Sequence, residues 1–197
     1  MATSKTSVVT PQRFASGLSY KEYIAQITVN ADRFEQYYAT GKPAPEDAEY
    51  FKKAMKHPNG PAKMLALAED WCPDVYRGLP VVARLAEATG LELRVFPRDK
   101  HLDIMAEFLN QGQFQSVPTV VFYTKDDRYI GHWIERPAFA NKDRAEIDAQ
   151  VRKELPNADD QAIRAEVRTR TTARYPLWQQ ESVKEIRELI ASKTSIK

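Results

Sequence analysis

The sequence predicts an α/β protein in which helices flank a mixed β-sheet and form extensions at both ends. The first observation is a strand–helix–strand order. Residues 63–68 are nearly all apolar, apolar residues then recur at helical spacing, and residues 91–95 alternate between apolar and charged. Two strands joined through a helix lie parallel. The second observation is a pair of strand-like runs, 119–123 and 128–134, separated by a turn at 125–127, which predicts an antiparallel hairpin.

Helical patterns precede and follow this unit. Apolar residues at helical spacing predict one helix over 20–39, and Ser19 with Glu22 has the spacing of a capping box at its start. A second helix is expected at 45–57. The charged C-terminal part predicts further helices, with an interruption at Pro176 because proline removes a helical hydrogen bond.

These patterns divide the chain into four parts. The expected division is a flexible tail at 1–17, a helical N-terminal extension at 18–60, the α/β domain at 61–150 and a helical C-terminal extension at 151–197. The C-terminal helices either pack on the core or form an oligomer contact, and the sequence does not choose between these two roles.

The composition narrows the class of protein. A net charge of +2 is too small and too dispersed to argue for binding nucleic acid, and no apolar run approaches the roughly 18 residues of a membrane span. One cysteine allows no intrachain disulfide, which fits a reducing compartment. The N-terminus lacks the apolar core of a signal peptide. We expect a soluble, cytoplasmic monomer or homodimer that binds neither nucleic acid nor membrane.

The lone cysteine, Cys72, lies where the first predicted strand gives way to a helix. Pro73 then takes the first helical position, where its missing N–H costs nothing. Free amides at a helix start can lower a thiol pKa into the range of roughly 3.5–7.5. The carboxylate of Asp74 opposes a second negative charge and works against this activation. Cys72 is therefore either a functional nucleophile with a lowered pKa or a small buried hydrophobe.

Three features around Cys72 together carry a family resemblance. The run WCPDV at 71–75 ends the first core strand, Pro80 follows eight residues after Cys72, and the run SVPT at 116–119 opens the third core strand. With these features and Gly131 in the next strand, the chain resembles the thioredoxin-like superfamily over about residues 62–150. The resemblance implies a thioredoxin-like fold.

A narrower resemblance rests on three longer runs. These are EDWCPD at 69–74, FPRD at 96–99 and WIERP at 133–137. They are similar to those of a group of uncharacterised bacterial thioredoxin-family proteins that carry a helical N-terminal extension. This resemblance covers about residues 18–138.

The resemblance implies a catalytic role for Cys72 and a substrate surface beside it. Pro118 is expected in the cis form, which exposes the backbone of Val117 to an extended substrate chain; a plain turn proline is the alternative. Trp71 is either a partly exposed lid for partners or part of the core. The expected substrate-binding residues are Trp71, Pro73, Asp74, Val117 and Pro118.

Two positions depart from the superfamily pattern. Val75 stands where a dithiol enzyme has its second cysteine, and Ala66 stands where thioredoxins place a buried acid that accepts a proton from that cysteine. A mixed disulfide on Cys72 would then need an external thiol for its release. The leading hypothesis is monothiol exchange in cell redox homeostasis, with a protein or low-molecular-weight thiol as partner and glutathione as co-substrate.

Two other functions remain open at this stage. One is a redox-inert thioredoxin fold that serves as a binding or assembly module. The other is an enzyme of another class that uses Arg98 or Arg136 to hold an anionic ligand. Glu69 with Asp70 forms either an acid–base pair or solvated charges at a strand end. The three histidines are scattered without metal-ligand spacing, so neither a metal nor a cofactor is expected.

Overall fold

A four-stranded mixed sheet forms the centre of the computed structural model, which describes residues 7–196. The strand order is β2-β1-β3-β4, with β1 at Lys63–Ala68, β2 at Glu92–Pro97, β3 at Thr119–Tyr123 and β4 at Tyr129–Ile134. β1 and β2 are parallel, whereas β3 is antiparallel to both β1 and β4. The predicted parallel pair and hairpin are therefore confirmed.

Helices surround this sheet in the part of the chain that the structure describes. They are α1 Pro11–Ala15, α2 Tyr20–Gln26, α3 Ala31–Thr40, α4 Pro45–Ala54, α5 Pro73–Thr89, α6 Leu102–Met105, α7 Ala138–Glu154 and α8 Asp160–Thr194, with a 3₁₀ turn at Arg98–Lys100. α5 packs against β1 and β2, and α8 packs against α5 and β4. β1 is buried along almost its whole length, as its apolar sequence requires.

The strand register shows which strand ends meet at the candidate functional site. Ala68 pairs with Pro97 at the ends of β1 and β2, and Leu67 pairs with Thr119 at the start of β3. The carboxyl ends of β1 and β2 therefore meet the beginning of β3 at one edge of the sheet. This is the edge at which an open α/β sheet usually binds its ligand.

The region predicted as one helix over 20–39 contains two helices. α2 ends at Gln26, and α3 begins after Asn30, which adopts a left-handed conformation with φ of 59°. The capping box between Ser19 and Glu22 is present at the start of α2. The interruption arises from a tertiary contact with Asp70, described with the site below.

Residues 7–17 differ from the expected flexible tail, whose residues 1–6 lie outside the described part of the chain. Thr10 caps α1, and Phe14 is buried in the main core with only 4% of its surface exposed. The carboxylate of Glu107 accepts hydrogen bonds from Ser7 and Val8. A buried aromatic ring and a capped helix thus attach this segment to the domain, which a polar composition did not indicate.

The predicted interruption at Pro176 is absent, because α8 runs without a break from Asp160 to Thr194. A proline inside a helix costs about 3 kcal/mol or more through its lost hydrogen bond and steric clash. Burial offsets this cost: Tyr175, Trp178 and Val183 around Pro176 are nearly inaccessible to solvent. Tertiary packing therefore outweighs the local preference at this position.

Asp143 joins the two C-terminal helices from its position on α7. Its carboxylate accepts two hydrogen bonds from Arg174, at 3.0 and 3.1 Å, and one from the indole N–H of Trp178 at 2.7 Å. The bonds from Arg174 lower the pKa of Asp143 most, burial opposes them, and the bond from Trp178 lowers the pKa further. The carboxylate is thus stabilised in its charged form.

This lowered pKa predicts how the stability depends on pH. Asp143 contributes stability above the pKa of an unfolded aspartate, about 3.9, and loses it as the pH falls through the lower folded value. Asp143→Asn should therefore be less stable than wild type at pH 7, and the gap should narrow below about pH 4. Urea unfolding of both proteins from pH 7 to pH 3 measures it, and a constant gap would contradict the charged role of Asp143.

Within residues 7–196, no helix combines the length and the apolar character that a bilayer crossing requires.

Candidate functional site

Cys72 lies at the N-cap of α5, at the sheet edge where β1 ends. Its backbone is extended, with φ of −84° and ψ of 124°, and Pro73 takes the first helical position as predicted. The thiol donates a hydrogen bond to the carbonyl oxygen of Val117, with Sγ 3.5 Å from that oxygen. Only 9% of Cys72 is exposed. The sulfur therefore faces the loop before β3 rather than open solvent.

The electrostatics of this position contradict the expected activation. Burial is the largest effect and raises the pKa of the Cys72 thiol above its ordinary value. The backbone N–H groups of Val75 and Asp74 lower it, the Asp74 carboxylate raises it, and Arg136 lowers it slightly. The helix start does supply amides to the sulfur, but their effect is smaller than the cost of burying a thiolate. Of the two alternatives for Cys72, its burial and raised pKa favour the small buried hydrophobe over the activated nucleophile.

Val117 and Pro118 lie directly beside the sulfur. The Val117–Pro118 peptide bond is cis, and both residues are buried. No group in residues 7–196 accepts a hydrogen bond from the backbone N–H of Val117. The loop that precedes it, 111–115, is exposed. The structure thus brings the Val117 backbone next to Cys72, but Val117 is buried and not exposed as predicted.

Trp71 is outside the core, with 52% of its surface exposed. The guanidinium of Arg98 lies 5.6 Å from the centre of the indole ring, within the range of a cation–π contact. Arg98 also donates to the backbone and side-chain oxygens of Gln115, at 3.2 and 3.0 Å, and forms an ion pair with Asp99 at 2.7 Å. These partners fix Arg98 beside Trp71, and Asp99 offsets the positive charge of Arg98.

Asp74 is held by two arginines on the other side of the helix start. It pairs with Arg77 one helical turn on and with Arg136 at 2.6 Å. The Arg77 side chain is only 4% exposed, and its guanidinium lies 4.9 and 5.0 Å from the rings of Tyr175 and Trp178. Asp74 therefore serves as the counterion of a buried arginine, a role that the sequence did not reveal.

The two acidic residues before Trp71 are structural anchors. The Asp70 carboxylate accepts hydrogen bonds from the backbone N–H of Thr28 at 2.7 Å and of Val29 at 3.3 Å, and the Asn30 amide donates to the Asp70 carbonyl at 2.9 Å. Glu69 accepts the backbone N–H of Asp99 at 2.7 Å. These contacts favour neither the acid–base pair nor free solvated charges.

The hydrogen bonds to the Asp70 carboxylate predict what its removal would do to stability. Asp70→Ala removes the acceptor of these backbone donors, so we expect a loss of about 1–2 kcal/mol in the free energy of unfolding. Hydrogen exchange should also quicken at residues 27–30 and 70–72, because the α2–α3 break and the Trp71 loop lose their shared anchor. Asp70→Asn keeps one oxygen acceptor and should lose less. Unchanged hydrogen exchange in Asp70→Ala would show that the hydrogen bonds to Asp70 do not order residues 27–30 and 70–72.

The positions that depart from the superfamily pattern are buried. Val75 and Ala66 are both fully inaccessible to solvent. Val75 belongs to the first turn of α5, and Ala66 pairs with Val95 and Val120 in the middle of the sheet. Apolar packing thus replaces the second thiol and the proton acceptor of a dithiol site.

The fold defines a thioredoxin-fold protein whose single cysteine lies at the start of α5. A family model described as thioredoxin matches residues 17–149, most of the chain, so the protein belongs to that thioredoxin family. The predicted superfamily and α/β class are confirmed.

Two solved structures share the fold. They are a protein of unknown function from Pseudomonas aeruginosa, at 13% identity and a TM-score of 0.59, and an HIV epitope-scaffold, at 12% identity and a TM-score of 0.61. Each comparison covers 91% of this chain and 95% of the other. At these identities the likeness concerns the fold alone. No curated protein matches the sequence.

Proposed function

We propose that this protein is a recognition module built on the thioredoxin fold, in which Cys72 remains a protonated thiol at neutral pH. The observation that carries the proposal is the environment of the sulfur. It is buried, it donates to the Val117 carbonyl, and its pKa is raised. Since only the thiolate attacks disulfides, a thiol in this state is a poor nucleophile. A second thiol is absent, because Val75 occupies its position.

The proposed partner is an extended protein segment. The Val117 N–H donates to no group in residues 7–196, and a segment that adds to this backbone would use it, as in strand addition. The exposed Trp71 ring, fixed by Arg98, offers an aromatic surface for one side chain of the segment. Pro73 and Pro118, which follow Cys72 and Val117 in the chain, would border the same surface, whereas the Asp74 carboxylate pairs with Arg77 and Arg136. A reducing compartment such as the cytoplasm suits this role.

A second candidate is monothiol exchange with glutathione as co-substrate. The observation that favours it is the position of the sulfur at the start of α5, where the backbone N–H groups of Asp74 and Val75 lower the pKa of the thiol. Exchange would then proceed through the minor thiolate fraction, with glutathione releasing the mixed disulfide.

Peptide selection separates the two candidates. Peptides from a random library that bind the immobilised protein are synthesised, and their affinities are measured by fluorescence anisotropy. We expect Cys72→Ser to bind within about threefold of wild type, whereas Trp71→Ala should lose roughly tenfold or more, since exposed aromatic anchors dominate such contacts. Tyr129→Ala removes an equally exposed aromatic ring from the other end of the β3–β4 pair and serves as the control.

The outcome can also contradict the proposal. Failure to select any peptide would overturn the recognition role. Selected peptides that all carry cysteine, with binding lost in Cys72→Ser, would favour monothiol exchange instead. A glutathione-coupled insulin reduction assay on wild type and Cys72→Ser measures monothiol exchange independently.

A further inference from the structure

A cavity of about 1070 Å³ lies against the first turn of α5. Pro73 and Asp74 line it, but neither Cys72 nor Trp71 does. Its walls come from α3, α5, the segment after β4, α7 and α8, and α7 and α8 supply most of the lining residues. We call it the arginine cleft after six of its lining residues: Arg33, Arg77, Arg136, Arg144, Arg164 and Arg168.

The cleft concentrates positive charge. Its lining contains six arginines against two aspartates, Asp74 and Asp148, which gives a formal charge of +4. The whole chain carries only +2, so the remainder of the protein is net negative by two charges. Such an accumulation on a nearly neutral protein costs self-repulsion unless an anion offsets it. The small net charge of the whole sequence does not reveal this local excess of positive charge.

Ion pairing distinguishes the cleft from the rest of the molecule. Each of the nine arginines outside the cleft has a carboxylate partner. Inside it, Arg77 and Arg136 share Asp74, and Arg136 also pairs with Glu135 at 3.7 Å. Asp148 pairs with Arg152 outside the cleft. Four cleft arginines form no ion pair with any of residues 7–196: Arg33, Arg144, Arg164 and Arg168.

This pattern is not that of an ordinary solvated face. The four unpaired arginines come from α3, α7 and α8, three separate parts of the chain, and line one cavity. Arg33 is also positioned by the ring of Tyr76, 5.3 Å from its guanidinium. Asp74 offsets one of the two positive charges of Arg77 and Arg136, and the four unpaired arginines remain available to a ligand.

We propose that the arginine cleft binds a small molecule that carries two or more phosphoryl groups. Guanidinium groups match phosphate oxygens in paired hydrogen bonds, and several arginines around one cavity fit a multiply charged anion. Balancing a charge of +4 takes more negative charge than one phosphate or a simple carboxylate supplies. The volume suits a ligand of ordinary metabolite size.

Titration calorimetry with tripolyphosphate and with orthophosphate tests this site. We expect tripolyphosphate to bind at least roughly tenfold tighter than orthophosphate, and Arg164→Gln/Arg168→Gln to weaken it at least roughly tenfold. Both arginines are exposed, so the variant should fold, which circular dichroism checks. Lys53→Gln/Lys56→Gln removes the same charge from exposed residues outside the cleft and should change binding by less than about twofold.

Three results would overturn the site. No binding of tripolyphosphate at millimolar concentration is one. An equal loss in the two double variants is another, because it would show attraction to the net charge alone. Tighter binding of a hexaglutamate peptide would assign the cleft to an acidic protein segment. The site does not depend on Cys72, so Cys72→Ser should bind tripolyphosphate as wild type does, and failure here leaves the recognition role untouched.

Discussion

Asp74→Ala should lower the free energy of unfolding by about 3–5 kcal/mol, the cost of leaving a buried charge without its partner. Arg77 has 4% of its side chain exposed and lies between the rings of Tyr175 and Trp178. Without Asp74, only cation–π contacts would remain for its guanidinium, and these supply roughly 0.5–2 kcal/mol. Arg136 is less buried and can turn toward solvent.

A double variant shows that the buried charge is the cause. Asp74→Ala/Arg77→Met removes both charges and keeps apolar volume between the aromatic rings, so it should be more stable than Asp74→Ala alone. Asp148→Ala removes a more exposed carboxylate that pairs with the half-exposed Arg152 at 2.8 Å, and should cost less than about 1 kcal/mol. Urea unfolding measures all three. A loss below 1 kcal/mol in Asp74→Ala would mean that Arg77 is not held as a buried charge.

Trp178→Ala should destabilise the protein by about 3–5 kcal/mol, because it empties the largest fully buried side chain of the structure. The indole lies on α8, contacts Tyr175, and donates to Asp143 at 2.7 Å. α8 packs on α4, α5 and β4, so the cavity would lie where the C-terminal extension joins the core. The same variant also removes an aromatic neighbour of Arg77.

Trp178→Phe separates packing from the hydrogen bond. It keeps most of the ring but leaves Asp143 with Arg174 alone, so we expect a loss of only about 1–2 kcal/mol. Trp71→Ala is the matched control, since the same change at a half-exposed tryptophan should cost much less stability. If Trp178→Ala and Trp71→Ala were equally mild, the C-terminal helix would not be part of the core.

The central sheet was predictable because its strands carry their own signal. Residues 63–68 are apolar throughout, as a strand buried on both faces must be. Pro73 after Cys72 likewise marked the start of α5. Where a local pattern and the tertiary environment agree, the sequence is enough to predict the element.

The expectations that the structure did not meet failed because of contacts between distant parts of the chain. The break between α2 and α3 depends on Asp70, about forty residues away in the chain, and α8 crosses Pro176 because its neighbours are buried. Counting charges along the chain likewise missed the arginine cleft, because its residues come together only when α3, α7 and α8 pack beside α5. The burial of Cys72, which raises the pKa of its thiol, was likewise not visible in a motif that is typical of reactive thiols.

The pH dependence of Cys72 alkylation reports whether this thiol stays protonated at neutral pH. The rate of iodoacetamide modification is followed by mass spectrometry on the folded protein and on a peptide of residues 69–75, which supplies the ordinary pKa of this cysteine. Cys72→Ser serves as the blank. We expect the folded protein to react more slowly at pH 7 and to titrate with a midpoint above that of the peptide, because burial disfavours the thiolate. A midpoint below that of the peptide would contradict the account and identify Cys72 as an activated nucleophile.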